Sequence, residues 1–125
     1  MTRIYTFVNQ KGGVGKTTTA INLGAYMAQF GQRVLIVDID PQANATSSLG
    51  VDKNTVNGST YEVLLGSLSP ETLPLRNERL GLSILPSSPA LAGAEVELVN
   101  ELARETRLKQ AITRLDGRYD YILVD

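Results

Sequence analysis

The sequence predicts an α/β domain: a parallel sheet with helices over both of its faces. Two observations carry that expectation. The apolar runs Val34 to Asp38 (VLIVD) and Tyr119 to Asp125 (YDYILVD) are short and do not alternate, as strands buried on both sides require. These runs are separated by segments of helical character, and alternation of strand with helix brings a parallel sheet joined by right-handed crossovers. With 125 residues, 42% of them apolar, the chain can build the core of one domain.

Arg3 to Asn9 (RIYTFVN) is rich in β-branched and aromatic residues, stops at glycines and reads as the first strand. Lys16 to Phe30 has no proline and meets Gly31 as its stop, so it reads as a helix. On one face of it lie Ile21, Gly24, Ala25 and Ala28, small enough for close approach to a sheet. Asn44 to Gly58 (NATSSLGVDKNTVNG) and Ser87 to Pro89 are loops by composition. Ser59 to Leu65 predicts a short helix capped by Ser59 or Thr60, with Glu62 in its first turn. Leu82 to Leu85, stopped by Pro86, is a weaker strand. Ala90 to Leu115 predicts one or two helices with the stripe Leu98, Leu102, Leu108, Ile112 and Leu115, and with Glu105 and Lys109 paired. Arg104, Arg107, Lys109, Arg114 and Arg118 are matched by nearby acids, which describes a solvated face and not a nucleic-acid patch. Asp120 reads as a surface or turn residue. Because Asp125 ends both the chain and a buried strand, residues 1–125 are expected to be the N-terminal part of a single larger domain.

Composition narrows the chemistry. Twelve Lys and Arg against 13 Asp and Glu give a net charge of −1, against a broadly basic surface. There is no Cys and no His, which excludes a disulfide scaffold, a thiolate metal site and any Ser–His or Cys–His pair. No apolar run approaches the ~20 residues of a membrane helix. No secretory leader is evident either, so a cytoplasmic protein is expected.

Residues 10 to 18 read Gln10-Lys11-Gly12-Gly13-Val14-Gly15-Lys16-Thr17-Thr18, between a strand and a helix. Apart from Gln10 in the first place, this is the phosphate-loop pattern G-x-x-x-x-G-K-[ST]. Glycines let successive N–H groups turn inward at the positive end of a helix, which makes an anion nest. Lys16 supplies a point charge to the β- and γ-phosphates, and Thr17 a hard oxygen for Mg2+. At average glycine usage of about 7%, such a string arises by chance in a chain of this size with odds on the order of 10⁻⁵. Lys11 is unusual, since one nucleotide does not need two loop lysines.

Strand two runs into Asp38-Ile39-Asp40-Pro41-Gln42, and ligands in open parallel sheets sit beyond the carboxyl ends of the strands. Asp38 and Asp40 suit the metal and water side of phosphoryl transfer there. Asp40-Pro41 equally suits a turn opener. Asp125, after four apolar residues, fits the strand-end acid that holds Mg2+ through water.

The string KGGVGKTTTAINLG resembles the deviant Walker A motif of the ParA/Soj/MinD group of dimeric ATPases, and DIDPQANATSSLG resembles the ParA/Soj form of the element that follows. Leu91-Ala92-Gly93-Ala94-Glu95 is similar to a helix start of the same branch. Ala43 departs from it, where the branch usually has Gly. The resemblance implies a P-loop NTPase-like fold, cut here after its Walker B strand. It also implies ATP and Mg2+ held by Lys11, Gly12, Gly13, Val14, Gly15, Lys16, Thr17 and Thr18. By it, Thr17, Asp38 and Asp125 serve the metal, Asp40 orients the attacking water, and Lys11 crosses to the nucleotide of a partner subunit, so that Lys11, Lys16 and Asp40 are the catalytic set. The implied protein is a nucleoid-associated partition ATPase that dimerises around ATP and holds DNA through residues beyond 125. A ParB-like partner stimulates its slow hydrolysis, and no membrane is involved. A MinD-like membrane-positioning ATPase is the nearest alternative, and Pro41-Gln42-Ala43-Asn44 favours ParA over it. A nitrogenase-reductase-like protein needs cysteines that this chain lacks. A non-hydrolysing nucleotide-gated scaffold is the remaining alternative, and it would have no use for Asp40.

Overall fold

The computed structural model describes residues 1–7, 14–91 and 101–125. Its elements in chain order are β1 (Arg3–Thr6), α1 (Val14–Gln29), β2 (Val34–Val37), α2 (Asn44–Ser48), α3 (Thr60–Leu65), β3 (Leu75–Asn77), β4 (Leu82–Leu85), α4 (Glu101–Arg114) and β5 (Tyr121–Val124). They form a five-stranded sheet in the order β1-β5-β2-β4-β3. The first four strands in that order are parallel, and β3 runs antiparallel to β4 at the edge.

Both faces of the sheet are covered at β2, β4 and β5, as their unalternated sequences require, while the residues of β1 stay exposed. Leu35 and Val37 of β2, Leu85 of β4 and Ile122 and Val124 of β5 pack with Val63 of α3 and with Ala111, Ile112 and Leu115 at the end of α4. Their neighbours in the strands, Val34, Ile36, Ile84 and Leu123, point the other way and pack with Ala45 and Leu49 around α2 and with Ile21, Ala25 and Ala28 of α1. Each fully buried Leu, Ile or Val contributes about 1.5–3 kcal/mol of transfer free energy. Leu108 joins the first cluster; Leu98 and the side chain of Leu102 lie outside the described residues.

Gly31 stops α1 at φ 83°, where a side chain is disfavoured. Ser59 caps α3, its hydroxyl accepting from the Tyr61 N–H at 3.2 Å. Gly24 lies where α1 crosses the sheet: a Cβ there would stand 3.3 Å from Leu123 Cδ1 and 3.4 Å from Leu82 Cδ2. For Gly24→Ala, the helix-propensity gain of about 1 kcal/mol offsets that tight contact. Gly24→Val overpacks the sheet and loses about 2 kcal/mol. Urea midpoints of the two variants check this, and equal midpoints would contradict it.

Three expectations are corrected. Residues 44–58 are not all loop, because Asn44–Ser48 form α2. Ser, Thr and Asn compete with the helix in isolation, but burial of Ala45 and Leu49 and hydrogen bonds to Thr46 override that preference. Strand β3 was not expected: LRN is polar and exposed, and its pairing comes from β4 and not from burial. The strand expected at Tyr119 to Asp125 is also shorter, running only over Tyr121–Val124. Its pairing with β1 covers Arg3–Thr6, while Val8 and Asn9 lie outside the described residues. Asp120 is at the surface as expected, but it has a partner. It accepts from the Arg33 backbone N–H at 2.8 Å and its guanidinium at 3.1 Å, tying together the starts of β2 and β5, and these bonds hold its carboxyl below the usual range.

Candidate functional site

Sheet register builds the site. Val37 pairs with both Val124 and Leu85, so the residues that follow, Asp38 and Asp125, stand side by side at the carboxyl edge. Val37 and Val124 face α3 and α4; by the period of two, Asp38 and Asp125 face the side of α1 and α2. Their backbones are locked there. Asp125 N donates to Val37 O at 2.9 Å, Ile39 N to Asp125 O at 2.8 Å and Asp38 N to Leu85 O at 3.1 Å.

Helix α1 begins at this edge and delivers two of the expected residues. The Thr17 hydroxyl donates to Asp125 Oδ2 at 2.9 Å across 108 residues of sequence. Lys16 Nζ stands 3.2 Å from Asp125 Oδ1. The ammonium balances the carboxylate by charge without hydrogen-bond alignment, and buried Oδ1 has no hydrogen-bond partner among the described residues. Asp125 is only 1% exposed, so that oxygen is not simply hydrated at the surface. An under-coordinated carboxylate beside a threonine hydroxyl is a hard-oxygen donor set, and it fits Mg2+. Gly15 has open space where its Cβ would stand, so no contact with the described residues demands glycine there. Thr18 is exposed in the same turn. Lys11, Gly12 and Gly13 lie outside the described residues, as does the side chain of Val14.

Asp38 is fully buried and spends both oxygens on its own chain. Oδ2 accepts from Thr46 N at 2.9 Å and from the Thr46 hydroxyl at 2.6 Å, and Oδ1 accepts from Asp40 N at 3.0 Å. Burial pushes its carboxyl above the usual range and the charge of Asp125 adds to this, while the bonds from Thr46 and Asp40 pull the other way.

Asp40 is nearer solvent. Its Oδ1 accepts from Gln42 N at 3.0 Å and its Oδ2 from Asn44 Nδ2 at 2.9 Å. These bonds make the turn that was expected at Asp40-Pro41, and the turn leaves the carboxylate at the sheet edge. The turn closes at Ala43, whose φ of 57° is left-handed. A non-glycine residue there costs about 1 kcal/mol, which explains why glycine suits this position.

Two side chains escaped the sequence reading. Ser87 N donates to the Thr46 hydroxyl at 2.9 Å, and the Ser87 hydroxyl donates to Asp40 O at 2.5 Å. Ser87 comes just after β4, as Asp38 does after β2 and Asp125 after β5. The rule that ligands gather beyond the strand ends was the signal that could have found it. Arg107, Lys109 and Arg114 of α4 stay at the surface, and Arg114 pairs with Glu71 at 2.9 Å. Among the described residues no helix is long and apolar enough to cross a membrane.

A family model described as an AAA domain matches residues 2–125. The sporulation initiation inhibitor protein Soj of Bacillus subtilis is 47% identical over 100% of this chain and 49% of its own length. The chromosome partitioning protein ParA of Myxococcus xanthus is 50% identical over 98% of this chain and 44% of its own. Among solved structures, a cobyrinic acid a,c-diamide synthase from Mycobacterium smegmatis with bound ATP analog and magnesium superposes with a TM-score of 0.94. It is 44% identical, over 100% of this chain and 51% of that one. The chain thus spans about half the length of the curated relatives it matches.

Proposed function

Because the chain belongs to the AAA-domain family, as an ATPase of the ParA/Soj type, we propose that its carboxyl-edge cluster binds ATP with Mg2+ and hydrolyses it as a switch in DNA partition. The observation that carries this is the meeting of Lys16 and Thr17 of α1 with Asp125 at the end of β5, where a buried carboxylate oxygen has no hydrogen bond from the described residues. The solved structure with ATP analog and magnesium supports the ligand.

In this reading the loop from Lys11 to Thr18 cradles the phosphates and Lys16 faces the β- and γ-phosphates. Thr17 and Asp125 hold the metal, Asp125 through water, and Asp38 supports that water shell. Held by Thr17 and Asp125, Mg2+ would supply positive charge against the negative charge that develops on the phosphates. Asp40 orients the attacking water from the turn after β2. Lys11 reaches the triphosphate of a second subunit, so the nucleotide becomes part of a dimer interface. Residues 1–125 are the N-terminal part of one ATPase domain. DNA binds through residues beyond 125, a ParB-like partner stimulates turnover, and the protein works in the cytoplasm on the nucleoid.

Asp40 separates this reading from a binding-only scaffold. In the full-length protein, Asp40→Ala leaves ATP affinity and dimerisation near wild type and lowers turnover by about 10²-fold or more. Phosphate release with DNA and partner present is the measurement, and a wild-type rate would remove Asp40 from the water. The name of the Mycobacterium smegmatis structure favours a second reading, in which the site consumes ATP in amide formation. Phosphate release that requires a carboxylic acid and a nitrogen donor, and ignores DNA, would select it.

A further inference from the structure

We propose that Thr46 and Ser87 are positioning residues that clamp the Asp40 peptide through a closed ring of hydrogen bonds. The inference rests on the hydrolysis reading above and extends it to the residues that aim the water-orienting acid.

The ring follows from donor counting. Ser87 N–H can only donate, so the Thr46 hydroxyl is its acceptor at 2.9 Å. That hydroxyl has one proton, which goes to Asp38 Oδ2 at 2.6 Å. The other oxygen of Asp38 accepts from Asp40 N at 3.0 Å. The Ser87 hydroxyl donates to Asp40 O at 2.5 Å and closes the circuit. Asp40 is thus gripped at both its N–H and its C=O, by residues from β2, α2 and the loop after β4. Thr46 and Ser87 are both fully buried, so water does not compete for these bonds. The side chain of Asp40 is meanwhile oriented by Gln42 and Asn44. Its backbone is fixed by the ring and its carboxylate by the turn. The ring also passes through Asp38, so a disturbance at the metal side reaches the water side through one carboxylate.

A structural role and a positioning role make different predictions. In Ser87→Ala, Asp40 O keeps the Ala43 N–H at 2.8 Å, so no buried acceptor is orphaned and the fold should melt near wild type. Turnover should nonetheless fall about 10- to 100-fold, the usual range for supporting residues behind a catalytic group. ATP affinity should change less than about threefold, which places the loss in kcat and not in KM. Thr46→Val should behave the same way or worse, and Thr46→Ser, which retains the hydroxyl, should restore most of the rate.

The test is stimulated ATP turnover and ATP affinity of these variants in the full-length protein, together with amide hydrogen exchange at Asp40 without nucleotide. Slow exchange in wild type and faster exchange in Ser87→Ala and Thr46→Val supports the clamp even if Thr46→Val is poorly folded, because Ser87→Ala reads it alone. Wild-type turnover and unchanged exchange in a folded Ser87→Ala would overturn the proposal. A wild-type protein that releases no phosphate yet shows the exchange difference would overturn the hydrolysis reading and the positioning role with it, leaving the ring as structure only. Equal loss of rate in Thr46→Ser and Thr46→Val would overturn the role assigned to the hydroxyl.

Discussion

Lys16→Ala in the full-length protein abolishes Mg·ATP binding, by calorimetry, with affinity down on the order of 10²-fold or more. Charge-assisted contacts to phosphate are the strong ones, and truncating one partner of a desolvated charge pair costs several kcal/mol. The structure adds a second consequence. Lys16 Nζ stands 3.2 Å from buried Asp125 Oδ1, so its removal also takes from that carboxylate the one cation that pairs with it among the described residues. A lowered melting temperature is therefore expected alongside the loss of binding. Asp125→Asn on the Lys16→Ala background should recover part of the stability and none of the affinity. Unchanged affinity in the folded variant would take Lys16 out of the site.

Lys11→Ala binds one ATP per chain but does not form the ATP dimer. In the proposed function Lys16 serves its own nucleotide, and a second lysine in the same loop is then best explained by a second phosphate group to contact. In a two-fold arrangement each Lys11 faces the triphosphate of the other subunit, and one isologous interface makes both contacts. Two triphosphates approaching in a poorly screened site repel strongly, and the crossing cations offset that repulsion. ATP-dependent DNA binding is lost together with the dimer. Light scattering with a non-hydrolysable ATP analogue is the measurement. A Lys11→Ala protein that dimerises as tightly as wild type would make Lys11 an ordinary exposed loop lysine.

How far the sequence revealed the molecule differs between fold and site for identifiable reasons. VLIVD and YILVD were legible because a strand buried on both faces has no polar positions to confuse the pattern, and their register brought Asp38 beside Asp125. Lys16, Thr17 and Asp125 were named from motifs, and the structure joins them. Helix α2 was hidden because its residues, Asn-Ala-Thr-Ser-Ser, take their helical state from Asp38 and the sheet and not from their own preference. The edge strand β3 was hidden for the opposite reason: it buries almost nothing, so no apolar pattern marks it. Ser87 went unread because a serine pair between prolines looks like loop, and only the topology shows that it lies at the same sheet edge as the acids. The turn at Asp40-Pro41 was legible because an Asp before Pro opens turns, and its carboxylate indeed accepts from Gln42 and Asn44.

The most direct test of the nucleotide site is a calorimetric titration of ATP into the full-length protein with and without Mg2+. The geometry of Thr17 and Asp125 predicts one ATP per chain in the presence of Mg2+ and markedly weaker binding without it. Absence of binding, or binding indifferent to Mg2+, would contradict the assignment of this sheet edge.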